Sequence, residues 1–394
     1  MNRKFANHKR IFIGLMFIVM LAGCKKSGPD AQSANNSSNT DSETLSIGEV
    51  GSMTGAEATF GTSTHNGILL ALNQVNSAGG VKGKKFKLIS LDDQGKPDQA
   101  AMAVTKLVTQ DKVIAILGEV ASSNSIAMAP VAQSNKIPMV TPSSTNPKVT
   151  QLGNYIFRVC FIDPFQGTVM AKFAAEHLKA KTAAVLRDVK SDYSVGLADY
   201  FSKTYKTMGG SIVIDQSYSK GDMDFKSQLT AIRQKNPEVI FVPGYYNDVG
   251  LIARQARELG IKVPLLGGDG WDSPKLKEIG GSAIDNSYFS NHYSSENKDP
   301  HVQQFIANYK DSYGGGTPDG LAAMGYDAAM VLVDGMKRSK SFSSSDIRDA
   351  LAETKDFQGV TGKITIDQNR NAVKSAVVLK IDNGEFKYQM TINP

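Results

Sequence analysis

Cysteine is nearly absent from this sequence: Cys24 and Cys160 are the only two in 394 residues. That excludes a disulfide scaffold and any four-cysteine zinc site. Histidine is scarce as well, with His8, His65, His177, His292 and His301 scattered along the chain and no His-Glu-x-x-His among them. A lone histidine so placed reads as a surface or capping residue. Gly-x-Ser-x-Gly, Gly-x-x-x-x-Gly-Lys-Ser/Thr and Cys-x-x-Cys are also missing, so the common serine-hydrolase, phosphate-loop and dithiol chemistries have no motif here. "LDDQGKPD" lacks the alternating oxygen ligands of a calcium loop, and Asp92 and Asp93 read as turn residues. No metal and no cofactor are expected.

What is present begins at the N-terminus. Arg3, Lys4, Lys9 and Arg10 precede an apolar run from Ile11 to Leu21, then Ala22-Gly23-Cys24. The run is shorter than the roughly 20 residues that a spanning helix needs, and it has the form of a secretory signal peptide over residues 1–23. Leu-Ala-Gly-Cys resembles a bacterial lipobox, which implies cleavage before Cys24 and a lipid on its thiol. Residues 24–44 are small and polar and cannot bury enough apolar area to order themselves, so they read as a flexible tether. Loss of the leader, with four basic and no acidic residues, takes the formal charge from +6 to +2. So small an excess argues against nucleic acid.

From Leu45 onward, short apolar runs alternate with amphipathic stretches. "TLSIGEVGS", "KKFKLISLDD", "KVIAILGE" and "IPMVTPSST" read as strands, with helices in "STHNGILLALNQVNSAGG", "PDQAAMAVTKLVTQ" and "SSNSIAMAPVAQSN" between them. The order then restarts with strands "TAAVLRDV", "SIVIDQSYS", "PEVIFVPGYY" and "VPLLGGDG". Phe225, Leu229 and Ile232, and again Ile252, Ala256 and Leu259, mark helices between them by their 3.6-residue spacing. Such alternation implies βαβ units and parallel sheets, so the fold class is α/β with two doubly wound lobes. Further helices and strands follow residue 285, so the chain must cross back. The expected division is 45–161 plus 291–360 for the first lobe and 162–290 plus 361–394 for the second, joined by a multi-strand hinge.

In a parallel sheet the C-terminal strand ends carry the binding loops. On the first lobe these ends hold Ala121-Ser122-Ser123 and Ser143-Ser144-Thr145, and on the second Tyr245-Tyr246 and Gly268-Asp269-Gly270-Trp271. Hydroxyl donors thus face an acid and aromatics, a set suited to a zwitterion. Each residue also has a purely structural reading: helix N-cap for Ser122 or Ser123, turn residue for Thr145, part-buried aromatic for Tyr193 and Tyr245. In "GGDGWDSP", Asp272 fits the cap of a helix with Pro274 in its first turn. An enzyme using Asp269 and Asp272 as an acid pair, or Ser122 as nucleophile, would need a base beside the serine, and none is evident.

At "GSMTGAEATFG", "VNSAGGVKGKK", "GEVASSNS", "VTPSSTNP", "FRVCFIDPFQG", "GYYNDVGLIARQARELG", "GGDGWDSPKL" and "GYDAA", the chain resembles the branched-chain amino acid binding family, with the type I periplasmic-binding-protein fold and a ligand cleft between its lobes. The resemblance implies that Ser122 and Thr145 bind an α-carboxylate. It implies that the Ser143 carbonyl and Asp269 hold an α-ammonium, and that Tyr193 and Tyr245 line the pocket, with Phe60, Ala121 and Trp271 as walls. Family members that bind leucine often carry glutamate where this chain has Asp269. The implied role is a monomeric, exported, lipid-anchored receptor that hands a small amino acid to an ABC permease complex. The alternative is a sensor for a small amide or carboxylate that signals to a membrane partner.

Overall fold

The structure, a computed structural model, describes residues 44–394; the leader, Cys24 and the tether up to residue 43 lie outside the described residues. The first half of the chain runs β1 (Thr44–Gly51), α1 (Ala58–Ser77), β2 (Lys85–Asp92), α2 (Pro97–Thr109), β3 (Ala115–Leu117), α3 (Ser122–Ser134), β4 (Met139–Thr141), α4 (Lys148–Gln151) and β5 (Ile156–Arg158). Its five strands form one parallel sheet in the order β2-β1-β3-β4-β5. The second half repeats the scheme: α5 (Asp163–Lys172), β6 (Thr182–Asp188), α6 (Asp192–Thr207), β7 (Ser211–Tyr218), α7 (Lys226–Gln234), β8 (Val239–Phe241), α8 (Tyr246–Glu258), β9 (Leu265–Gly267), α9 (Pro274–Gly280) and β10 (Ser287–Asn291).

The remaining elements are α10 (Pro300–Ser312), α11 (Gly320–Arg338), α12 (Ser344–Ala352), β11 (Phe357–Gly359), β12 (Gly362–Ile366), β13 (Ala372–Val373), β14 (Ala376–Asp382) and β15 (Glu385–Ile392). The second sheet has the order β15-β14-β10-β9-β8-β6-β7, with β14 antiparallel to both neighbours. Its five parallel strands therefore repeat the strand order of the first sheet.

Both sheets are covered on both faces, which is why β3, β8 and β9 are short, wholly buried apolar runs. On the first sheet α1 and α11 pack one face around Ile47, Leu117 and Val140, while α2 and α3 pack the other around Val50, Ile116 and Met139. α1 and α11 approach closely through Gly67 and Gly325, where an added Cβ would meet the Ala322 and Thr64 carbonyl oxygens at 1.9 and 2.4 Å. On the second sheet α5 and α6 cover one face and α7, α8 and α9 the other.

Core membership locates the crossings between lobes. Cys160 packs into the first core and Phe161 into the second; Phe289 belongs to the second and Tyr293 to the first; Ala372 belongs to the first and Ala376 to the second. The expected third boundary at 360/361 is thus overturned. Ile364 and Ile366 of β12, with Ala372 of β13, bury their side chains in the first lobe's core, so the chain returns to the second only at β14. β5 and α5 had no clear pattern: β5 has three residues, and α5 buries both apolar and polar side chains, among them Asp163, Gln166 and Met170.

Candidate ligand-binding site

Equal strand order gives each sheet the same switch point, between β1 and β3 in one lobe and β6 and β8 in the other, and loops at such points carry binding sites. The two sets of loops meet. Phe60, Val120, Ser122, Ser143 and Leu321 from the first lobe, with Tyr193, Tyr245, Asp269 and Gly270 from the second, line a cavity of about 10 Å³, room for about one water.

The lobes are held together around it. Lys220 Nζ meets Glu57 Oε1 at 2.6 Å, Ser123 Oγ donates to Asp192 at 2.9 Å, Thr59 and Ser273 hydroxyls lie 2.8 Å apart, and Tyr246 Oη donates to the Ala56 carbonyl at 2.8 Å. This is a closed arrangement.

Tyr193 and Tyr245 stack at 5.3 Å with 10° between rings, and Phe60 stands edge-on to Tyr245 at 5.4 Å. Burial raises both phenols well above the ordinary tyrosine range, so they remain protonated. Glycine is required beside them: an added Cβ on Gly268 would sit 2.4 Å from Tyr193 Oη, and one on Gly270 would sit 2.8 Å from the Tyr245 ring.

Asp269 leads the short helical turn that follows β9. Its Oδ1 accepts from Gln166 Nε2 at 2.7 Å, and its Oδ2 accepts from His292 Nε2 at 3.0 Å and from Ser143 Oγ at 3.3 Å. Burial pushes the His292 pKa down, outweighing its bond to Asp269. The ring is therefore neutral, with its proton on Nε2. It stacks on Phe161 at 3.8 Å, and its Nδ1 is buried without a partner. A buried carboxylate held only by neutral donors can take a cation as a further partner.

The loop after β4 is shaped from beneath by Arg158, whose guanidinium is fully buried. It donates to the carbonyls of Ser144 at 2.5 Å and Asn146 at 2.8 Å, on either side of Thr145. The Thr145 hydroxyl and the Asp163 carboxyl are both buried, and Thr145 is the polar group that acts on Asp163. Burial pushes the Asp163 carboxyl up to about 8, opposed by nearby Thr145 and Arg158 and reinforced by Asp269. Ser122 Oγ accepts the Asn146 N–H at 3.2 Å, and Ser123 reaches across to α6, so neither caps α3; the capping position is Ala121.

Several sequence expectations need correction. Thr145 is not among the residues lining the cavity, and Val120 rather than Ala121 forms the wall there. Trp271 is no wall either: it is fully buried, lies against Gly267 and donates from Nε1 to the Val242 carbonyl at 3.0 Å. Asp272 does not cap α9, because Ser273 does, accepting from the Lys275 N–H. The Asp272 carboxylate instead accepts from Asn291 Nδ2 and from the Gly320 N–H that opens α11, so it is not paired with Asp269. His292 is no surface histidine, being 3% exposed. Only its place at the end of β10 could have signalled this. Gln166 lies within "FRVCFIDPFQG", where no sequence signal marks it.

Among the described residues no cluster of three or more His, Cys, Asp or Glu could hold a metal ion, and no helix is long and apolar enough to cross a membrane. The family model described as "Periplasmic binding protein" matches residues 44–385. A leucine-, isoleucine-, valine-, threonine- and alanine-binding protein of Pseudomonas aeruginosa is 30% identical over 328 residues, covering 83% of this chain and 86% of its own. The crystal structure of a leucine binding protein, LivK, of Thermotoga maritima superposes with a TM-score of 0.85 at 42% identity, covering 89% of this chain and 99% of that one. The branched-chain amino acid transporter substrate binding protein LivJ of Streptococcus pneumoniae, in complex with isoleucine, gives 0.84 at 34% identity, covering 89% and 100%.

Proposed function

The chain belongs to the periplasmic binding protein family, and on that premise we propose that it captures a small amino acid between its lobes and delivers it to an ABC transporter. The observation that carries this reading is Asp269: a carboxylate 5% exposed, met by Ser143, Gln166 and neutral His292. Burying an unpaired charge costs several kcal/mol, so the site favours a ligand that brings a positive group. The Ser122 hydroxyl and the free N–H groups at the start of α3 suit its carboxylate. Phe60, Val120, Leu321 and the stacked tyrosines leave an apolar place for a side chain, where one methylene is worth about 1–3 kcal/mol. Related apolar amino acids should therefore compete.

The same reading includes the leader and the lipid on Cys24, with the polar tether letting a monomer reach its permease from the membrane surface. A cavity this small admits an amino acid only when the lobes part, and closure follows because both lobes touch the ligand only when shut. The test is isothermal titration of refolded, ligand-free protein with leucine, isoleucine, valine, threonine and alanine, for the native chain and for Asp269→Ala. The reading expects binding of at least one by the native chain and none by the variant, whose melting should stay cooperative. No heat from any of the five would overturn it.

A further inference from the structure

Asp269 is a short anchor, and its carboxylate has about four acceptor positions. Three are taken by Gln166, His292 and Ser143, which leaves one on Oδ1 for an incoming donor. His292 is the most constrained of the three. Its ring is stacked on Phe161, its backbone N–H is bound by Asn291 Oδ1 at 2.7 Å, and its second nitrogen has no partner.

All three lobe crossings bear on the ring. Phe161 lies on the first and His292 on the second; Lys374, on the third, is buried and held by Thr361 Oγ1 and Met324 Sδ, and its field disfavours a proton on the ring. The charged groups bearing on His292 are therefore Asp269 from the turn after β9 and Lys374 from the third crossing.

We propose that His292 is a positioning residue for the ligand's ammonium: as a neutral Nε2–H donor it fixes the Asp269 carboxylate while leaving its whole negative charge to the ligand. This rests on the assignment of Asp269 as the ammonium anchor. A protonated ring would do the opposite, setting a cation against Asp269 in competition with the ligand. Affinity should then fall on acidification as the ring takes up its proton, and a neutral donor in its place should abolish that fall.

The test is isothermal titration with L-leucine between pH 7 and pH 5 for the native chain, His292→Gln, His292→Leu and Asp269→Asn. Glutamine can still donate to Asp269, so His292→Gln should bind within about threefold of native at pH 7 and show a flatter pH profile. Leucine removes the donor, and loss of one hydrogen bond to a charged group corresponds to about tenfold or more in affinity. The carboxylates that titrate in this range are common to the native chain and the glutamine variant, so the difference between their profiles reports His292. Binding by a folded His292→Gln at pH 7 more than about tenfold weaker than native would overturn the proposal even if His292→Leu fails to fold. So would native affinity in a folded His292→Leu. Absence of L-leucine binding to the native chain, or unchanged binding by Asp269→Asn, would instead strike the parent reading.

Discussion

Asp272 Oδ2 accepts the backbone N–H of Gly320 at 2.6 Å, tying the turn after β9 on the second lobe to the first residue of α11 on the first. The approach depends on glycine, since a Cβ at position 320 would stand 2.5 Å from that oxygen. Asp272→Ala would leave this N–H and the Asn291 amide without their acceptor. The expected loss is about 1–3 kcal/mol of stability, the usual cost of stranding buried donors. Chemical denaturation of both chains measures it, and an unchanged midpoint and slope would refute it.

The Glu57–Lys220 pair spans the cleft, with Glu57 buried and Lys220 about a third exposed. Lys220→Met should favour the open state and weaken L-leucine binding by about two- to fivefold, the range of partly exposed pairs. Salt screens such a pair, so the gap between native and variant should narrow at high ionic strength. Titrations at two salt concentrations decide the point.

Stability should fall as pH rises. Burial raises Asp163 to about 8 and Asp248 and Asp272 to about 7, against about 3.9 in an unfolded chain. Between those values the folded protein holds protons that the unfolded chain has released, so each step up in pH favours unfolding. Melting temperature should decline from about pH 5 to pH 8, and less steeply in Asp163→Asn. A melting temperature that climbs over this range contradicts the argument.

Cys160 should be chemically silent. It is fully buried, and burial pushes its thiol up to about 12, so little thiolate exists to react. Alkylation by iodoacetamide, followed by mass spectrometry, should modify it only after denaturation.

Much of this fold was legible because burial on both faces writes continuous apolar runs, as in "AIL" of β3 and "LLG" of β9, between helices with clear spacing. The strand ends were legible for the same reason, and Ser122, Ser143, Tyr193, Tyr245 and Asp269 do converge. What sequence could not supply was side-chain direction just past a three-residue strand. A run so short fixes no inward or outward parity, which is why Trp271 and Asp272 were read the wrong way round the turn. Gln166 acts from a helix start and His292 from a lobe crossing just past β10, and both are joined to Asp269 only by packing.

The change of core from Cys160 to Phe161 occurs across a single peptide, and the other two crossings are nearly as abrupt. Two stiff bodies joined over so few bonds swing about a fulcrum, and points near a fulcrum travel least. Asp269 is braced by His292, on one of those crossings, whereas Glu57 and Lys220 meet from loops of opposite lobes. Asp269 therefore keeps Gln166 and His292 as the lobes part, while its contact with Ser143 and the Glu57–Lys220 pair form only on closure.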